Sequence, residues 1–244
     1  MNLGAIIKDA ITYPTSHIKA LLIYLILAFL IGLVMVFTGI GGFVKGSFNF
    51  ESSLGAGLFG IIVSVFLFLL MEGFSLDIVK FGIDRSSDAP EVNFARQISN
   101  GIKYFIVSIV YLIIPVILFI ILGMLLGKIG LLIGYIILLI FAFVLLIAVC
   151  RLADTDELSY ALDFRGAIGD LRQIGVAKVI VTIVVSVIVG LIIVFAITFL
   201  FACILGIINS QSLISVVVPI FSMIVDAWLL FYTNRVMGLL YSNK

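Results

Sequence analysis

The stretch DTDELSYALDFRGAIGDLRQIGVAK, Asp154 to Lys178, decides how the rest of the chain is read. It is too charged to sit in lipid and too regularly apolar for a plain loop. At helical spacing Leu158, Ala161, Leu162, Phe164, Ile168, Leu171 and Ile174 share one side, while Asp163, Arg165, Asp170, Arg172 and Gln173 fall mostly on the other. The pattern predicts an interfacial amphipathic helix over about 156–175. Apolar runs on both sides of it read as membrane spans. Two shorter relatives come earlier in the chain: 2–11, with Leu3, Ile6, Ile7 and Ala10 on one side, and 91–103, where Val92, Ala95, Ile98 and Ile102 share a face.

Composition agrees with this reading. The 244 residues are 64% hydrophobic and 11% charged, with a mean hydropathy of +1.41, whereas soluble domains are about 45–50% apolar and about 25% charged. This is the composition of an integral membrane protein. A hydrocarbon core about 30 Å thick takes about 20 apolar residues per helix, and no alternating strand pattern is visible, so an all-α fold is expected. The apolar runs place six transmembrane helices at about 18–38, 58–79, 104–126, 131–149, 179–205 and 213–232. Ile18 to Phe37 is too long for a signal-peptide core of about 7–15 residues and reads as a retained first span. A net charge of +1 gives no reason to expect a nucleic-acid partner. Membrane lipids are the expected partners, and a membrane protein partner or a second copy is left open. Cys150 and Cys203 fall at opposite ends of their spans, too far apart for a disulfide, and read as free thiols.

Pro14 is expected to interrupt the first short helix, with Thr15 or Ser16 capping the helix after it. Residues 39–57, rich in glycine and serine, suit an exposed connection. The short turn Gly127-Lys128-Ile129-Gly130 makes spans three and four an antiparallel hairpin, and Asn209-Ser210-Gln211-Ser212 marks a second tight connection. Gly123 with Gly127, and Gly130 with Gly134, have the spacing that lets helices approach closely, here within the hairpin itself. Of the 14 Lys and Arg residues, only Lys45 and Lys128 fall on one side of this arrangement. The positive-inside rule then puts the other side, both termini and all three amphipathic helices in the cytoplasm, with the protein in the cell membrane. Leu3, Ile7 and Asp9 align with Phe94, Ile98 and Asn100, and with Phe164, Ile168 and Asp170. The chain therefore reads as three units, each an interfacial helix followed by a helical hairpin.

The second unit also carries a recognisable signature: Ala89-Pro90-Glu91, Phe94, Asn100-Gly101-Ile102-Lys103, Val110-Tyr111 and Ile114-Pro115. It resembles the central motif of an uncharacterised, largely archaeal family of multi-pass membrane proteins catalogued as domain of unknown function 4013. Gly73-Phe74, Ala161, Phe164 and Ile168 are similar in placement to further family features. The tryptophan which that pattern carries soon after the proline is replaced here by Val92 or Phe94. The resemblance implies a membrane protein with cytoplasmic amphipathic helices and brings no assigned activity.

Two intramembrane acids are candidate functional residues. Glu72 precedes Lys80 by eight residues and Asp226 precedes Arg235 by nine, so both lie about 12–14 Å from the basic boundary. An acid at that depth faces a cavity or a partner. The plainer reading has Glu72 at the interface with Asp77, and Asp226 bonded to a tyrosine, serine or basic neighbour. Pro115 and Pro219 interrupt spans and are candidate hinges. Asn234 and Arg235 read as the end of span six, with Tyr232 as an interface anchor. His17 is the only histidine, so a His-rich metal site and a Ser-His triad are excluded. Lys45-Gly46-Ser47 has the wrong order for a phosphate loop. No cofactor, metal or catalytic residue is expected. The leading expectation is a non-enzymatic protein of lipid handling or membrane organisation. The alternatives are a small proton-coupled transporter using Glu72 and Asp226, and a subunit of a larger membrane complex.

Overall fold

The computed structural model describes residues 1–37, 50–207 and 211–244. Among them the secondary structure is helical, without strands: α1 (Leu3–Ser16), α2 (Ile18–Phe37), α3 (Phe50–Ile83), α4 (Phe94–Thr155), α5 (Leu158–Ala161), α6 (Phe164–Ile174), α7 (Val176–Ile207) and α8 (Gln211–Tyr241). Helices satisfy every backbone donor and acceptor within the segment, as a lipid environment demands. Four helices are long and apolar enough to cross a membrane, and α1 with α2, bent by 74° relative to each other, make a fifth candidate.

Helix α4 is 62 residues long. Straight, it would measure about 93 Å, about three times a hydrocarbon core. At Gly127 the backbone takes φ 57° and ψ −132°, a conformation open to glycine, and the chain folds back there. A Cβ on Gly130 would lie 1.8 Å from the Leu122 carbonyl oxygen, and one on Gly134 would lie 2.8 Å from Phe119 Cα. The glycines therefore pack the two arms, 94–126 and 128–155, against each other. The turn is confined to Gly127 rather than spread to Gly130.

Helix α3 is clamped on two sides by glycine. A Cβ on Gly73 would lie 1.8 Å from the Gln97 carbonyl oxygen, and one on Gly101 would lie 2.0 Å from that of Leu69, so α3 and the first arm of α4 touch backbone to backbone. Gly82 and Gly238 do the same for α3 and α8, with a Cβ on Gly238 2.2 Å from the Val79 carbonyl oxygen. Buried side chains gather toward the end of the bundle that carries Lys80, Arg151 and Arg235. Toward the other end the helices present apolar side chains outward, Met124 82% and Phe195 72% exposed.

Several expectations are corrected. The interfacial helix over 156–175 is two pieces, because the Asp163 side chain accepts a hydrogen bond from Arg165 N (3.1 Å) and starts α6 afresh. Its apolar side rests on protein: Ala167, Leu171 and Ile174 are buried in one cluster with Leu152, Ala153 and Val179, and Phe164 and Ile168 pack against it. The helix at 91–103 is not separate. It starts at Phe94, capped by Asn93 through Arg96 N (3.1 Å), and runs on unbroken into the first arm of α4. Of the shared apolar face, Val92, Ala95 and Ile102 are exposed and Ile98 packs against Leu27, Leu67 and Leu70, while Gln97 and Asn100 are buried.

Helix α1 passes through Pro14, which removes one ladder bond in the last turn without ending the helix. The break comes at His17. Thr15 and Ser16 donate back to the Thr12 carbonyl (2.8 and 2.9 Å) instead of capping α2. Residues 50–57 of the expected exposed connection belong to α3, while 38–49 lie outside the described residues. Of the second tight connection, Asn209 and Ser210 lie outside the described residues, and Gln211 and Ser212 already belong to α8. Helix α8 continues to Tyr241, past the expected end at 232, because the charge that marked a boundary there is buried and neutralised.

Candidate functional site

Glu72, on α3, stands where two cavities meet. An inner chamber of about 310 Å³ is walled by Ser75 and Val79 of α3, Leu146 and Val149 of the second arm of α4, and Asn234 of α8. A groove of about 520 Å³ runs along the first arm, past Phe105, Ile109, Leu112 and Val116, with Phe68 opposite. Glu72, Tyr104 and Leu145 belong to both walls. The groove is almost wholly apolar, but the chamber is not. Asn234 Nδ2 is buried without a hydrogen-bond partner, whereas the hydroxyls of Ser75 and Ser108 lie against those of Tyr24 and Tyr104. Buried polar atoms in folded proteins are nearly always satisfied. This chamber can therefore offer an acid and an amide to something that enters it.

Glu72 itself has no hydrogen-bond or ion-pair partner among the described residues. Asp77, 4% exposed, accepts from Arg96 Nη2 (2.9 Å) and Gln97 Nε2 (3.2 Å) across the α3–α4 crossing. Asp226 lies elsewhere, exposed, beside a cavity of about 360 Å³ between α7 and α8 that Thr198 and Ser222 also line. The two acids share no cavity. No tyrosine, serine or basic residue bonds to Asp226 among the described residues. Pro115 is buried in the first arm, which keeps helical dihedrals through it. Pro219 falls within α8, and its side chain lies outside the described residues.

Among the described residues three clasps, each with at least one buried partner, hold the basic end together. Arg151, 2% exposed, donates to Asp170 Oδ2 (2.7 Å) and to the Tyr160 carbonyl (2.9 Å), and its guanidinium lies 3.6 Å from the centre of the Tyr160 ring. Burial opposes ionisation of Asp170, but hydrogen bonds from Lys244, Tyr241 and Arg151 outweigh it and hold the carboxyl below the usual range. Arg235, also 2% exposed, donates to Asp9 Oδ1 (2.7 Å) and the Phe81 carbonyl (2.9 Å). The Asp77 cluster is the third. Arg235 is thus buried and paired within the bundle rather than standing free at a helix end. Tyr232 is likewise no interface anchor: it is fully buried, and its hydroxyl donates to the Ser186 carbonyl (3.1 Å).

The sequence profile of a family described as protein of unknown function, DUF4013, matches residues 56–202. The chain belongs to the DUF4013 family. Comparison with curated proteins and with solved structures gave no match. The family match takes in α3 from residue 56, the whole of α4, α5 and α6, and most of α7. Glu72, the groove and two of the clasps therefore lie within the DUF4013 segment, as does the Gly73–Gly101 contact. Asn234 and the Asp9–Arg235 clasp lie outside it. The family signature gains a physical reading: Gly101 in Asn100-Gly101-Ile102-Lys103 permits the backbone crossing with α3, and Tyr111 donates its hydroxyl to the Ala161 carbonyl (2.9 Å) while its ring stacks on Phe164 at 4.1 Å.

Hydropathy alone misses the clasps, because it turns Asp9 and Asp170 outward on amphipathic helices. A signal is present all the same. In the expected alignment Asp9 and Asp170 share one position and each meets a buried arginine, while Asn100 at the same position is buried and in no ion pair.

Proposed function

We propose that this protein is a non-enzymatic lipid-handling protein of the cell membrane, and that its working part is the groove between α3 and the first arm of α4. One observation carries the reading: an apolar groove of about 520 Å³ ends at an unpaired acid and a chamber with an unsatisfied amide. Along the first arm the groove runs from Tyr104 to Val116, about 18 Å, against about 15 Å of hydrocarbon per leaflet. That is room for one acyl chain lying along the helix. Its polar end then meets Glu72.

The reading includes six crossings, since the Gly127 fold makes two arms of α4, each long enough to span. The basic end faces the cytoplasm by the positive-inside rule. It also includes three related units. Arg96 bonds to Asp77 and Asp170 to Arg151, in both cases between a helix start and the end of the preceding span, 19 residues apart. Asp9 with Arg235 closes the ring in the same sense, with the helix at one end of the chain and the span at the other. The α6 apolar side rests on protein, so lipid contact is assigned to the groove and not to that helix.

Filling the groove tests this. Ile109→Trp should lower the number of lipids retained by the purified protein in a neutral detergent, measured by intact-complex mass spectrometry. Ile140→Trp, at an exposed position outside the groove, should not. Equal lipid retention in both variants and the wild type would contradict the reading. A proton relay from Glu72 to Asp226 finds less support, because the two line separate cavities on different stretches of α8.

A further inference from the structure

The acids that this fold places among its helices come with a cation. Asp9 has Arg235, Asp77 has Arg96, and Asp170 has Arg151 and Lys244. Glu72 and Asp226 are the exceptions, and Asp226 is exposed beside its own cavity. Glu72 lies about 12 Å along α3 from Lys80, deeper than any of these clasps, and no described basic residue reaches it. A carboxylate held away from water costs several kcal/mol unless it is paired.

Its surroundings specify what could pair with it. Asn234 presents a buried, unpartnered N–H donor to the chamber, and Ser75, 6% exposed, lines it with its hydroxyl against that of Tyr24. A protonated amine satisfies Glu72 by donating to it. An oxygen close to that nitrogen satisfies Asn234 Nδ2 by accepting. Arginine and lysine side chains provide no such combination here, since none lines the chamber. The chamber extends from Glu72 to Val79 along α3, toward the basic end, and the groove leads away from that end. A molecule with its polar group in the chamber and its chain in the groove is therefore oriented as an inner-leaflet lipid.

From this juxtaposition of an unpaired acid, an orphaned amide N–H and an apolar groove, we propose that the Glu72 chamber binds the protonated amine head of an amphiphile whose hydrocarbon chain occupies the groove. The inference rests on the lipid-handling reading and adds the chemistry of the head group. Amines can reach the chamber from a lipid or from solution, and the length of the chain separates these sources.

The test is binding to the full-length protein in a neutral maltoside detergent at pH 7, measured by calorimetry with hexadecylamine, hexadecanol, palmitate and ethylamine. Hexadecylamine should bind at least about tenfold tighter than hexadecanol or palmitate, and ethylamine should not bind measurably. Glu72→Gln should bring hexadecylamine to within about twofold of hexadecanol while leaving hexadecanol unchanged. The wild-type comparison decides even if that variant fails to fold. Equal binding of amine and alcohol, or a preference untouched by Glu72→Gln, overturns the head-group assignment and leaves the groove intact. Ethylamine binding as tightly as hexadecylamine overturns the role of the chain. No binding by any long-chain probe overturns the lipid-handling reading itself.

Discussion

Arg151 is buried against Asp170, and each neutralises the other where water does not reach. Replacing one partner leaves an uncompensated charge, while replacing both does not. Arg151→Leu should cost about 3 kcal/mol, the low end of the range for breaking a buried pair, because Lys244 and Tyr241 still reach Asp170. Arg151→Leu with Asp170→Leu should recover most of that loss, read from chemical unfolding in detergent. A single variant as stable as the wild type would remove the clasp from the account. These residues show what was hidden at this scale. The acid at 170 was visible, and so was its match with Asp9 and Asn100. Its direction was not, because the rule that polar faces point outward assumes water outside the helix, and around a membrane bundle the polar partner lies inside.

At the scale of elements, glycine decides where helices meet. Gly101→Ala puts a methyl group about 2.0 Å from the Leu69 carbonyl oxygen, a backbone atom that can move only with its helix. The expected loss is about 3 kcal/mol, from overpacking at a rigid contact. Gly169→Ala, in α6 with open space around it, should cost nothing and gain up to about 1 kcal/mol of helix propensity. Thermal unfolding of the two variants side by side checks this, and equal behaviour would mean that α3 and α4 are not locked by that crossing. The α4 hairpin was legible in Gly123, Gly127, Gly130 and Gly134, whose spacing has one geometric use. The split of the 156–175 helix at Asp163 was not, since an aspartate at that place suits a solvent-facing helical position as well as a cap. The extension of α8 past 232 was hidden for a related reason: Arg235 reads as the edge of the membrane until Asp9, more than two hundred positions away, is known to face it.

For the whole molecule, the distribution of charge and the density of packing point the same way. The clasps, the cation-π contacts of Arg151 and Arg235, and the core cluster that joins α3, α4, α6 and α8 gather toward one end. The other end presents apolar side chains to its surroundings. This division was legible in the chain as the sorting of lysines and arginines. The chamber was not, because Glu72, Leu146 and Asn234 come from three helices whose rotation is set by packing rather than by hydropathy. The account depends on the Gly127 fold and the clasped end lying on opposite faces of the membrane, with the clasped end in the cytoplasm. In a background with Cys150→Ala and Cys203→Ser, single cysteines at Lys128→Cys and Arg165→Cys, both exposed positions, should be labelled by a membrane-impermeant maleimide from opposite sides, 128 in intact cells and 165 only after permeabilisation. Labelling of both positions from the same side would contradict the account.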